Sequence, residues 1–193
     1  MPAATVPKNA LATGPGYLYI APLGTALPTN TVVGSVFTDA WPGGWILLGI
    51  TRQGHEFDYT ISTSNIEAAE YFDPLQIVTD SRVAVLKAEL MQVHATNMKN
   101  ALNGGTLSVT GSGTTQLNTY TPPAPGSEVR QMLGWEATDN TERLVMEQAF
   151  QVGSLAIQRQ KGSANAGLPV EYQAELPASG FPFRYYTAGT VRA

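Results

Sequence analysis

Between His55 and Ile61 apolar and polar residues alternate strictly: Phe57, Tyr59 and Ile61 fall on one face of a strand, Glu56, Asp58 and Thr60 on the other. Residues 17–23 (YLYIAPL) predict a short aromatic strand between Gly16 and Gly24, and residues 45–51 a buried strand. Residues 64–72 are expected to pair with the alternating strand, with Ile66, Tyr71 and Phe72 as their apolar content, and residues 73–80 (DPLQIVTD) to form an unusually apolar connection. Over residues 82–102 two periods compete. Val83, Leu86, Leu90, Val93, Asn97 and Ala101 make a helical stripe, whereas Ala84, Leu86, Ala88 and Leu90 alternate. The expectation is a strand to about Val93, then a helix over 95–103 stopped by Gly104-Gly105. Four strand-like runs follow at 128–137, 142–152, 155–160 and 168–176, with turns at Asp139-Asn140 and at 162–167. Residues 24–44 and 108–126 read as Gly/Thr/Pro loops, the second flexible, and the tail from Phe181 carries Phe183, Tyr185 and Tyr186. The pattern predicts a mainly β domain over 17–193 with one short helix and a long loop, preceded by an extended arm over 1–16.

Composition adds a constraint on the surface. Of 193 residues only 13% are charged, about half the usual ~25%, while hydrophobic residues stand at 43% and Thr, Gly and Pro number 21, 19 and 13. A surface so poor in charge suggests that much of it is covered by something else. The net charge of -4 argues against a duplex-binding surface, which needs clustered Lys and Arg. Without Cys there is no disulfide, thiolate metal site or cysteine nucleophile. The apolar run at residues 45–50 falls far short of the ~20 residues of a membrane span, and the N-terminus lacks the apolar core of a secretory signal. A soluble, non-secreted protein is expected. The charges are also unevenly spread: residues 1–51 hold only Lys8 and Asp39, whereas residues 56–89 hold seven acids against Arg82 and Lys87.

Candidate chemistry is thin. His55 and Glu56 are strand neighbours and point to opposite faces, so they cannot converge on one ion; His55 is expected to face solvent or an interface, and His94 to cap the strand–helix junction. No G-x-S-x-G elbow or G-x-x-x-x-G-K-[ST] phosphate loop is present. Glu56/Asp58 and Glu67/Glu70 could suggest a glycosidase pair, a weak reading beside a solvated or lumen-facing stripe. No catalytic residue, metal or cofactor is expected, and the chain does not read as an enzyme. A different class stays open: a carbohydrate-binding β-sandwich stacking sugars on Trp41, Trp45 and Trp135.

Exposed strands and an apolar loop call for partners, and copies of the same chain are the economical choice. The run TSNIEAAEYFDPLQIVTDSRVAVLKAELMQVHATNMKNALNGG, from Thr63 to Gly105, resembles the centre of a long-tailed phage major tail tube protein. GWILLGITRQGHEF (residues 44–57) is similar to that family's W..LG.T..G..F pattern, and residues 142–176 to its closing hairpin and final strand. The resemblance implies a β-sandwich or barrel flanked by a helix, in hexameric rings stacked as a hollow conduit for DNA in the virion tail, assembled in the host cytoplasm. It further implies a ring-stacking loop carrying Asp73, Leu75, Ile77, Val78 and Asp80, and an arm and tail that bridge subunits. The implied partners are the tape measure protein and DNA in the lumen, without sequence-specific binding, and the tail terminator and distal tail proteins; no membrane is implied. On that reading Glu56, Asp58, Glu67 and Glu70 face the lumen, where an acidic wall repels phosphate. The segment 108–126 has no place in the common pattern.

Overall fold

A computed structural model describes residues 15–49, 51–67, 70–157 and 166–189. The arm expected at 1–16 lies outside the described residues except for Pro15 and Gly16, as does most of the turn at 162–167. The fold is mainly β, with twelve strands and one α-helix among the described residues. Strand β1 (Gly16–Pro22) is followed by the two-residue strands β2 (Val32–Val33) and β3 (Val36–Phe37), which pair with each other, and by β4 (Ile46–Gly49). Two long strands come next, β5 (Thr51–Ile66) and β6 (Gln76–Leu90), then α1 (Ala95–Ala101). The remaining strands are β7 (Thr106–Thr110), β8 (Leu117–Thr121), β9 (Gln131–Ala137), β10 (Glu142–Gln151), β11 (Leu168–Ala174) and β12 (Arg184–Thr187).

The main sheet runs β4-β1-β9-β10-β11-β6-β5, and all of the pairs are antiparallel. Strand β10 belongs to both halves. Its first residues lie between β9 and β12, a bulge interrupts the ladder between Met146 and Ala149, and its last residues pair with β11. A bulge bends the strand that carries it, and across this one β10 exchanges β12 for β11 as its second neighbour. Leu18, Leu133 and Trp135 of one half thereby meet Leu86, Leu168 and Tyr172 of the other in a single buried cluster. The result is a β-sandwich; β4 and β5 remain free edges, so no barrel closes.

Several expectations change. The buried strand expected at 45–51 is instead the edge strand β4: among the described residues only β1 pairs with it, so Ile46 and Leu47 are exposed while Trp45 and Leu48 are covered. Residues 64–72 do not form a separate partner strand. Strand β5 continues to Ile66, which pairs with Gln76, so the described residues 67 and 70–75 lie in the connection between the two strands. The uninterrupted β-favouring run from His55 to Ile66, free of Gly and Pro, explains its length. The expected loop at 108–126 holds instead a β7–β8 hairpin with a 3-10 turn at Gly113–Thr115. Its Thr-rich strands carry too little large apolar content to be recognised by pattern. Residues 155–157 are not in a strand, and 158–160 lie outside the described residues.

The split at the end of β6 matches the reading of the sequence. His94 caps α1, its Nδ1 accepting from the Asn97 N–H at 3.4 Å. The helix ends as the Gly104 N–H reaches the Lys99 carbonyl, with Asn103 in the left-handed region. Gly105, at φ +97°, precedes β7 at a point where a side chain would press on the Thr121 carbonyl.

Candidate functional site

The most unusual surface is the β5–β6 ribbon. Near its base it is a sheet component: β11 pairs with β6 over Val85–Leu90 (Gln173 to Leu168), and Phe57 and Tyr59 each pack edge-on against Phe183 at 5.2 Å. Beyond Tyr59 on one strand and Arg82 on the other the ribbon leaves the body, with every described residue from 60 to 82 exposed. Isolated two-stranded ribbons are marginal in water. This one nonetheless exposes Ile61, Ile66, Leu75 and Ile77, and at its tip Tyr71 and a completely uncovered Phe72.

Cross-strand partners in an antiparallel sheet share a face. Residues Glu56, Lys87 and Glu171 therefore lie in one row on the outer face, with Asp58 and Glu89 one step along their strands. Phe57, Leu86 and Tyr172 occupy the core face. Glu56 and Asp58 thus share a face, as the alternation implies. Glu67 and Glu70 do not join them: Glu67 follows the end of β5 and Glu70 sits in the turn, about 35 Å along the strand from Glu56 at ~3.3 Å per residue. Their expected place on a partner strand is corrected, because that strand begins only at Gln76. Of the predicted docking residues, Asp73 and Leu75 lie in the turn, where the Leu75 N–H meets the Ile66 carbonyl at 2.8 Å. Ile77, Val78 and Asp80 belong to β6, not to a loop. Ile77 and Val78 are consecutive and point to opposite faces. Asp80 is the extra residue of a bulge, its carboxylate taking the Ser64 hydroxyl at 2.8 Å.

Sequence reasoning missed Tyr71 and Phe72, which it placed inside a strand, and it missed Glu89 and Glu171 as members of the acidic face. Glu171 was invisible without knowing that β11 pairs with β6. Residues 53–56, 87–89 and 169–171 border an open cleft of about 510 Å3 on this face. Two of the acids there are engaged in ion pairs, Glu89 with Arg52 at 2.9 Å and Glu56 with Lys87 at 3.9 Å. Among the described residues no three His, Asp or Glu gather to hold a metal ion.

His55, expected to face solvent or an interface, is half-buried at the edge of this cleft. Its ring lies against Trp135 at 4.1 Å, and that burial lowers its pKa. The three tryptophans offer no platform for a sugar. Trp135 and Trp45 are buried, and Trp41 is stacked between Tyr19 (4.5 Å) and Trp45 (4.7 Å), its indole N–H bonded to Glu136.

The features that stand out are therefore an uncovered apolar ribbon and an acidic sheet face. Sequence comparison agrees with that picture. The family of phage tail tube proteins matches residues 3–175, while no curated protein matches the chain. The chain belongs to the phage tail tube protein family, as a self-assembling structural component of the virion tail.

Proposed function

We propose that the chain forms hexameric rings that stack into a hollow tube, the conduit through which the genome passes to the host. The observation that carries this reading is the β5–β6 ribbon, which exposes large apolar residues on both faces and at its tip. Such a surface is an aggregation hazard in a monomer and an interface in an assembly. The ribbon end is the ring-to-ring contact: Leu75, Ile77 and Val78, flanked by Asp73 and Asp80 and extended by Tyr71 and Phe72, pack against a neighbouring ring. Glu56 and Asp58, with Glu89 and Glu171 on the same face, line the lumen, and Glu67 and Glu70 continue the acidity along the ribbon. An acidic wall keeps DNA from adhering as it slides. The tape measure protein would occupy the same lumen before ejection, and the tail terminator and distal tail proteins would close the two ends.

Negative-stain electron microscopy of the concentrated protein tests the assembly, with six-fold rings and hollow filaments as the expected images. The Leu75→Asp/Ile77→Asp variant should keep the monomer folded by circular dichroism and lose the filaments. Small particles at every concentration that are retained on glycan resin would replace this reading with a carbohydrate-binding one.

A further inference from the structure

We infer that the ribbon tip of one copy is received by the α1 end of the next, on the surface formed by the exposed side of the β7–β8 hairpin, Val129 and Lys99. The inference rests on the tube reading above and names the acceptor that the reading leaves open.

The first ground is geometric. Strand β6 runs from the ribbon tip at Gln76 directly into the turn before α1, so tip and helix lie at opposite ends of one 15-residue strand. At ~3.3 Å per residue they are about 50 Å apart. A copy displaced along the ribbon axis therefore brings its tip to its neighbour's α1 end, a head-to-tail contact that repeats without closing.

Charge supplies the second ground. From Glu67 to Ser81 the tip carries Glu67, Glu70, Asp73 and Asp80 and no cation. The α1 end offers Lys99, in the last helical turn, which forms no ion pair among the described residues. The other uncovered apolar edge, β4 with Ile46 and Leu47, carries no charged residue on itself or on its partner strand β1.

The third ground is the character of the acceptor. Between Lys99 and Glu128 there is no charged residue, so covering the β7–β8 hairpin itself desolvates no charge. The β7–β8 hairpin forms a two-stranded sheet of its own and leans on the helix end through the Tyr120 hydroxyl, which donates to the Gly104 carbonyl at 3.0 Å. Its outer face, shared by Thr110 and Leu117, still exposes Leu117, and Val129, whose N–H bonds the Asn103 carbonyl at the helix end, is exposed as well. These are apolar partners for Tyr71 and Phe72 on a hairpin that is marginal without a third layer.

The chain has no cysteine, so introduced thiols report one contact at a time. Tubes are assembled from equal amounts of Phe72→Cys chains and chains carrying either Leu117→Cys or Val129→Cys, then oxidised with copper phenanthroline. The expected product is a dimer on non-reducing gels that needs both chains, and a ladder when one chain carries both substitutions. Tubes in which Phe72→Cys cross-links to Ile46→Cys, or to neither acceptor position, overturn the inference while leaving the tube reading intact. Absence of tubes from the unsubstituted protein overturns both. A charge swap adds a second readout: Lys99→Glu should cut the yield of tubes at low salt at least tenfold, and Asp73→Lys on the same chain should restore it. No loss with Lys99→Glu would contradict the proposed contact.

Discussion

Arg143 on β10 and Glu136 on β9 are direct cross-strand partners, and their buried side chains meet at 2.6 Å. The guanidinium also donates to the Asn30 side chain at 3.0 Å and to the Asp39 carbonyl, and lies over the rings of Phe37 (4.8 Å) and Trp41 (5.7 Å). One arginine thereby ties the loop before β4 to the sheet. Removing one partner of a buried pair strands the other charge, which costs about 3–5 kcal/mol. Arg143→Met should lower urea-unfolding stability by that order. The double variant Arg143→Met/Glu136→Gln should recover a large part of the loss, because Gln still accepts the Trp41 indole N–H.

His55 should make the monomer acid-sensitive. Burial lowers its folded-state pKa below the ordinary 6.5, so the unfolded chain binds the extra proton first. Thermal stability should begin to fall as the pH drops through about 6.5 and keep falling until the folded pKa is passed. His55→Phe preserves the ring on Trp135 and should flatten that part of the profile in calorimetric scans. Glu175 acts in a separate, more acidic window. Its carboxyl is held low by the Gln148 amide and by Arg130, so its contribution is present above the usual glutamate range and lost as the pH falls below it.

Phe183 is the clamp at the root of the ribbon. Phe183→Ala removes two edge-on aromatic contacts, worth about 0.5–1.5 kcal/mol each beyond burial. Hydrogen exchange in the monomer should quicken at the amides of residues 57–61 and stay unchanged in β9.

If the acidic face lines the lumen, reversing it should turn a non-stick wall into an adhesive one. Tubes of a Glu56→Lys/Asp58→Lys variant are expected to retain duplex DNA in gel shifts at low salt and release it as salt rises. Tubes that ignore DNA as the parent does would place these residues elsewhere.

The local signals were well preserved in the sequence: the His55–Ile61 alternation, the switch of period before Ala95, the Asp139-Asn140 turn and the His94 cap. Signals that depend on distant partners were not. Ile46 and Leu47 look like core residues because nothing local marks an edge strand. Tyr71 and Phe72 look like strand residues because large aromatics are normally buried, whereas here both are exposed in the turn of the ribbon. Glu171 joins Glu56 through Lys87 across 115 residues of chain, a relation that only sheet pairing creates.

The bulge at Asp80 has a consequence for fidelity. A two-stranded ribbon without a core beneath it has little to fix its register, and a slip by one residue would exchange its two faces. Asp80, set out of the ladder and held by Ser64, marks one alignment as different from every other. Each copy can thus present the same pattern at its tip before any neighbour is there to correct it, which a repeating assembly needs if an error in one subunit is not to be passed on to the next.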